Sequence, residues 1–121
     1  MKIHVLSDLH LEFADFSPVL NAADVIVLAG DIGLRSEGIT WARKSFPNQE
    51  IIYVAGNHEF YGSQRGHAIE RMRNASIECG IHFLDDDVLQ LQDPKSNAPI
   101  RFLGATLWTD FLLFGEDLKS K

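Results

Sequence analysis

Residues 25–31 read VIVLAGD, an unbroken apolar run that ends in a glycine and an acidic residue. A strand with one face in water would alternate polar and apolar residues, so this run predicts a strand that is covered on both faces. Residues 3–6 begin the chain as a similar strand, and residues 51–55 form a third. We predict that the first two of these strands are buried on both faces.

Helical patterns follow the second and third strands. Residues 36–46 carry four apolar residues on one helical face and are closed by Pro47. A second helix is predicted with Ser63 as its N-cap, apolar residues at three- and four-residue steps, and Gly80 at its end. Residues 12–23 leave room for a loop and a short helix. Because helical crossovers separate the strands, a parallel sheet is expected.

The rest of the chain predicts more strands. Residues 81–84 resume strand character, and residues 88–91 and 100–103 indicate a hairpin whose turn spans residues 93–99. The expected fold class is α/β, with a largely parallel first sheet, flanking helices and then the hairpin. Residues 111–114, FLLF, form an apolar patch that should pack against another surface.

Length and composition indicate an ordinary globular protein. The 121 residues allow a hydrophobic core, and we predict one domain over residues 1–121. A net charge of −6 and a pI near 5.2 provide no basic surface for a nucleic-acid backbone. Cys79 is the single cysteine, no signal peptide is evident, and no apolar run approaches the roughly 18 residues that cross a bilayer. We therefore expect a cytoplasmic protein that does not bind a membrane, and nucleic acid is not indicated as a partner.

Three short polar motifs directly follow the three strands: Asp8-Leu9-His10, Gly30-Asp31 and Gly56-Asn57-His58-Glu59. The carboxyl ends of parallel strands meet at one edge of a sheet, where ligands bind in open α/β folds. Asp8 and His10 offer an oxygen and an imidazole to one ion. Asp31 has two oxygens that can bridge ions about 3.5 to 4 Å apart, and Asn57 adds a neutral oxygen. Such a set, without thiolates, suits manganese, iron or zinc.

This set of ligands predicts two-metal hydrolysis of a phosphate ester. Two cations that clamp an ester lower the pKa of a bridging water, which then attacks phosphorus in line with the leaving oxygen. His58 is next to the candidate ligand Asn57 and is a candidate general acid for the leaving group. Glu59 would orient His58. The candidate catalytic residues are therefore His58 and Asp31.

In this order and spacing, the three motifs resemble the first three signature blocks of the calcineurin-like metallophosphoesterases. The resemblance implies an α/β/β/α sandwich with a dinuclear metal site, of which this chain would form part. It implies that Asp8, His10 and Asp31 ligate the first metal, and that Asp31 and Asn57 ligate the second. It also implies that His58 serves the leaving group and that the substrate is a phosphomonoester or a phosphodiester.

Two features depart from the pattern of that family. The family usually supplies a later lone histidine and then a Gly-His-x-His block, whereas no histidine follows His82. One ligand of the first metal and two of the second are then absent, and the chain would correspond to the amino-terminal half of such an enzyme. Many members also place an aspartate three residues after the bridging aspartate, where it pairs with the motif histidine. Leu34 stands in that position here.

Structural interpretations compete with the functional ones, since polar residues after strands often form turns. His4 lies within a strand, and neither His67 nor His82 follows the right strand end to replace a missing ligand. Residues 85–87, DDD, lack the oxygen spacing of a calcium loop. Two functions remain open: a metal-dependent phosphoesterase, or a non-catalytic remnant that binds metal or a partner. A second copy of the chain could cover an exposed sheet edge or the patch at residues 111–114.

Overall fold

The structure is a computed structural model that describes residues 1–109 and Leu112. In that part of the chain the strands are β1 (Ile3–Leu6), β2 (Val25–Ala29), β3 (Glu50–Val54), β4 (His82–Phe83), β5 (Asp87–Gln92) and β6 (Pro99–Gly104). The helices are α1 (Glu37–Ser45) and α2 (Arg65–Cys79), and a 3₁₀ turn spans His58–Phe60. Strands β1 to β4 pair in parallel in chain order, while β5 and β6 form an antiparallel hairpin. The predicted α/β fold class is confirmed.

The parallel sheet lies between the two helices and the hairpin. Ile26 in β2 and Ile51 in β3 are register partners on one face, which packs with α1 and α2 in the main hydrophobic core. Val25 and Ile52 lie on the opposite face, because successive residues of a strand alternate between faces. That face packs against the hairpin through residues such as Leu89. The order of helices, parallel sheet and second sheet is consistent with part of the expected sandwich.

The burial of β1 and β2 differs from the prediction for one of them. Strand β2 is buried as predicted, with Val25, Ile26 and Leu28 each at most 1% exposed. The prediction for β1 is wrong, because Ile3 and Val5 are 45% and 58% exposed. Strand β1 lies at the end of the sheet order, and the hairpin packs over β2 and β3 instead. The two strands are similar in composition, and only their places in the sheet differ.

Helix α2 has the predicted end but not the predicted start. It ends at Gly80, whose φ of 65° is left-handed and whose amide donates to carbonyls of the last turn. The prediction of Ser63 as N-cap is wrong, because Gln64 takes that position and no side chain caps the first turn. The Ser63 hydroxyl instead donates to the Gln64 carbonyl at 3.3 Å.

Residues 12–23, all of which are described, form a loop, so the predicted short helix is wrong. Side chains from outside the loop hold it in this form. Trp41 Nε1 on α1 donates to the Phe16 carbonyl at 3.3 Å, and the Asn21 amide contacts His4 Nδ1 on β1 at 3.0 Å. Contacts with β1 and α1 therefore hold this loop, which connects β1 to β2, in a non-helical form.

The predicted hairpin is confirmed, and its turn is closed by Asp93. The Asp93 amide donates to the Ala98 carbonyl at 2.8 Å, and Asp93 Oδ2 accepts from the Ser96 hydroxyl at 2.6 Å. The predicted apolar patch at residues 111–114 lies outside the described residues, apart from Leu112. Among the described residues, no helix has the length and apolar character needed to span a membrane.

Candidate metal centre

Three loops are joined at the carboxyl edge of the parallel sheet. The Asp8 amide donates to the Gly30 carbonyl at 3.0 Å, and the His10 amide donates to the Asp31 carbonyl at 3.0 Å. The loop after β3 joins them, because the His58 amide donates to Asp31 Oδ1 at 2.9 Å. The structure therefore brings the three polar motifs to one place, at the edge where parallel strands deliver their loops.

Three residues at this edge have a left-handed backbone. The φ angle is 57° at Asp8, 49° at His10 and 54° at Asp31. This conformation costs a non-glycine residue about 1–2 kcal/mol, although Asp and His adopt it more readily than most residues. Such strain persists only where the surrounding structure holds it, and it clusters at functional sites. Here the backbone bonds between the loops hold all three residues.

Asp8, His10 and Asp31 form the first group of candidate ligands. One ligand atom from each lies within 4.8 Å of the other two, and Asp8 Oδ1 is 3.7 Å from His10 Nε2. The Asp8 side chain is 65% exposed and that of His10 is 26% exposed, so the group opens to solvent. A divalent cation between two carboxylates and an imidazole would offset the repulsion between the carboxylates.

Asp31 also faces Asn57, which gives a second pair of candidate ligands. One end of the Asn57 amide lies 3.3 Å and 3.2 Å from the two carboxylate oxygens of Asp31, and its other end lies 3.2 Å from the Tyr61 hydroxyl. With no ion present, the amide NH₂ would face Asp31 and donate to it. With the amide oxygen facing Asp31, the two oxygens need a cation between them, and two oxygens on one cation lie about 3 Å apart. The geometry therefore fits a cation held by Asp31 and Asn57.

Glycines at positions 30 and 56 allow the loops to approach each other. A Cβ at Gly56 would overlap Asp31 Oδ1 and would lie 2.7 Å from the Asp31 nitrogen. A Cβ at Gly30 would lie 3.0 Å from the Gly56 nitrogen, and the φ angle of Gly30 is 94°. The carboxylate of Asp31 can lie against the third loop only because both positions lack a side chain.

Glu59 is fully buried, and its carboxylate accepts hydrogen bonds from the backbone of these loops. Its Oε1 accepts from the Ile32 amide at 3.0 Å and from the Tyr53 hydroxyl at 2.9 Å. Its Oε2 accepts from the Gly56 amide at 2.9 Å and from the Asp31 amide at 3.2 Å. Burial raises the pKa of the Glu59 carboxyl, and these hydrogen bonds act in the opposite direction. The prediction that Glu59 orients His58 is wrong, because its carboxylate holds the loop backbones in the core.

The carboxylate that does contact His58 belongs to Glu12. Glu12 Oε1 lies 2.7 Å from His58 Nδ1 and 3.2 Å from His10 Nδ1, and the Glu12 side chain is 9% exposed. Burial alone would raise the pKa of the Glu12 carboxyl, but hydrogen bonds, above all the one with His58, lower it overall. The same hydrogen bond raises the pKa of His58. Tyr61 stacks on the His58 ring with centroids 4.4 Å apart.

Sequence reasoning missed Glu12, although a signal was present. Leu34 cannot accept a proton from an imidazole, so a carboxylate partner for His58 had to come from another segment. Asp8, His10 and Glu12 recur at every second residue of the loop after β1. Glu12, two residues after His10, continues this alternation and was therefore a candidate partner for His58.

The remaining histidines lie away from this edge. His4 on β1 contacts Asn21 at 3.0 Å and packs against Phe46. His82 Nε2 lies 2.7 Å from Glu50 Oε2 at the opposite end of β3. His67 is on the exposed side of α2. The structure thus brings together Asp8, His10, Asp31, Asn57 and His58, and it places none of the other three histidines with them.

A protein-family model of the calcineurin-like phosphoesterases matches residues 1–116. The chain belongs to the calcineurin-like phosphoesterase family. No curated protein and no solved structure matches the chain. Calcineurin-like phosphoesterases typically bind divalent metals, and the grouped oxygen and nitrogen donors at the sheet edge fit that chemistry.

Proposed function

We propose that this chain is a metal-dependent phosphoesterase that hydrolyses a phosphomonoester or a phosphodiester at the carboxyl edge of its parallel sheet. The observation that carries the proposal is the position of Asp31. Its carboxylate belongs to the group with Asp8 and His10, and it also faces the amide of Asn57. A carboxylate shared between two sets of donors is suited to hold two divalent cations side by side. We propose manganese, iron or zinc as the cations.

Each residue has a distinct role in the proposed reaction. When bound, the cations supply positive charge that polarises the ester and activates a water nucleophile. Asp8, whose side chain is exposed, and His10 would hold one cation together with Asp31. His58 is held through Nδ1 by Glu12, so its Nε2, on the other side of the ring, is the atom that would donate a proton to the leaving oxygen. Asp31 positions His58 as well, by accepting its backbone amide.

The proposal predicts that the metal-free chain has no esterase activity and that adding Mn²⁺ restores it. The substrates are p-nitrophenyl phosphate and bis(p-nitrophenyl) phosphate, and the rate of nitrophenolate release is measured before and after removal of metal with EDTA. The ratio of the two rates identifies the chain as a monoesterase or a diesterase. Turnover that persists at full rate after exhaustive chelation would contradict the proposal, because no residue of the site would then depend on a cation.

A second candidate is a non-catalytic module that binds metal or a partner. It is favoured by exposed apolar side chains on the outer face of the hairpin, where Val88 is 62% and Leu103 is 77% exposed. Calorimetric titration with Mn²⁺ and mass measurement of the assembly separate the two functions. Metal binding or self-association without turnover would favour this candidate, whereas metal binding with turnover would exclude it.

A further inference from the structure

We propose that Glu12 is a positioning residue whose single carboxylate oxygen holds the rings of both His10 and His58, and this inference rests on the proposed phosphoesterase function. Glu12 Oε1 lies 3.2 Å from His10 Nδ1 and 2.7 Å from His58 Nδ1. An ionised carboxylate can only accept hydrogen bonds, so both imidazoles must carry a proton on Nδ1. The Nε2 atom of each ring is then not needed for the contact with Glu12.

The two Nε2 atoms are the ones that the reaction needs. His10 Nε2 is on the side of Asp8, 3.7 Å from its Oδ1, and is therefore the nitrogen available to a cation between Asp8 and Asp31. A ligating histidine commonly donates its other ring N–H to a carboxylate, which fixes the tautomer and the ring orientation. Glu12 supplies that carboxylate. For His58 the same bond directs Nε2 away from Glu12, as proton donation to a leaving group requires.

The atoms of Glu12, His10 and His58 also lie within 4.8 Å of one another, as they would around an ion. The contact between Glu12 and His58 argues against a cation there. Two ligands at about 2.0–2.2 Å from one cation are held about 3 Å or more apart, whereas Glu12 Oε1 and His58 Nδ1 are 2.7 Å apart. A separation of 2.7 Å is that of a charge-assisted hydrogen bond. The geometry therefore assigns Glu12 to positioning.

Packing fixes the two rings in the orientation that Glu12 sets. The His10 and His58 centroids are 4.3 Å apart with planes inclined at 66°, and Tyr61 covers the other side of His58 in a stacked arrangement. The Glu12 side chain is only 9% exposed, and its Oε2 is buried with no hydrogen-bond partner among the described residues. An oxygen that is buried without a hydrogen-bond partner costs stability. Such a cost is expected for a residue kept at a functional site.

The first measurement needs no turnover. In the full 121-residue chain without metal, long-range ¹H–¹⁵N NMR reports which ring nitrogen of each histidine carries the proton. We expect Nδ1–H at both His10 and His58 in the wild type and in Glu12→Gln, whose amide oxygen can still accept. We expect loss of this preference at both rings in Glu12→Ala. Unchanged ring nitrogens in Glu12→Ala would overturn the proposal.

The second measurement compares leaving groups in the Mn²⁺-loaded chain. Nitrophenolate leaves with little help from a proton, whereas phenolate needs one, so misplacing His58 should slow phenyl phosphate more. We expect Glu12→Ala to lower kcat for phenyl phosphate by roughly 10–100-fold and to lower it less for p-nitrophenyl phosphate, with partial rescue in Glu12→Gln. Equal losses for both esters would indicate a merely structural role and would overturn the proposal.

Matched controls separate the possible failures. Glu70→Ala and Glu70→Gln change an exposed glutamate on α2 and should alter neither measurement. Thermal melts show whether Glu12→Ala folds, and Glu12→Gln provides a variant of nearly the same shape if it does not. A wild type without turnover on any ester would defeat the proposed function, while the NMR measurement would still decide whether Glu12 sets the two rings.

Discussion

Replacement of Asp31 by asparagine is expected to lower Mn²⁺-dependent ester hydrolysis by at least about 10³-fold, because a bound cation contributes several kcal/mol to the transition state. Asparagine removes the negative charge and offers one ligand oxygen where aspartate offers two. It should not disturb the backbone, since asparagine tolerates the left-handed φ of 54° at this position. Its amide oxygen can also accept the bond that the His58 amide now donates to Asp31. The loss should therefore be one of chemistry and of metal affinity.

Two measurements check this expectation: the initial rate of p-nitrophenyl phosphate hydrolysis at saturating Mn²⁺, and calorimetric titration with Mn²⁺. The matched control is Asp15→Asn, which makes the same chemical change at an exposed position of the loop between β1 and β2. The control should keep the rate and the ion stoichiometry of the wild type. If Asp31→Asn did so too, Asp31 would not be a shared ligand, and the proposed reaction would have to be given up.

Glu59→Gln is expected to lower the free energy of unfolding by about 2–4 kcal/mol, through donors left unpaired in the core. The carboxylate accepts four hydrogen bonds, two at each oxygen. Glutamine keeps one acceptor oxygen and turns an NH₂ group toward the remaining two donors, whichever way its amide is oriented. In one orientation those donors are the amides of Asp31 and Gly56, so the site loops should loosen along with the core.

Urea denaturation of the metal-free chain measures this effect without any contribution from bound ions. Glu70→Gln, at an exposed position on α2, should change the free energy by no more than about 0.5 kcal/mol. Equal unfolding midpoints for Glu59→Gln and the wild type would show that the buried carboxylate does not hold the loops. Unlike the Asp31 variant, Glu59→Gln should reduce activity mainly by lowering the folded fraction on warming.

The parts of the fold that the sequence predicts are those set by local pattern. Val25, Ile26 and Leu28 of β2 are buried because the strand is apolar without alternation, and α2 ends before Gly80 because glycine takes the left-handed conformation there. The exposure of Ile3 and Val5 depends instead on which strands the hairpin covers. The residues of β1 do not indicate which strands the hairpin covers. Burial on both faces, as in β2, was therefore predicted for β1.

The candidate site shows the same division between local and distant information. Asp8, His10, Asp31 and Asn57 were predicted because each follows a strand, and strand order places them at one edge. The pairing of Glu12 with His58 joins residues 46 positions apart and depends on the turned backbone at His10. The role predicted for Glu59 was wrong because the 3₁₀ turn at His58–Phe60 sends neighbouring side chains in different directions, His58 to the site and Glu59 to the core.

Anomalous diffraction from crystals grown with Mn²⁺ tests whether the three loops form a metal centre. Data collected at the manganese absorption edge locate the ions independently of any assumption about ligands. We predict an anomalous peak enclosed by Asp8, His10 and Asp31, and a second peak between Asp31 and Asn57. Crystals that contain Mn²⁺ elsewhere on the chain but show no peak at this edge would contradict the metal centre, and with it the proposed phosphoesterase.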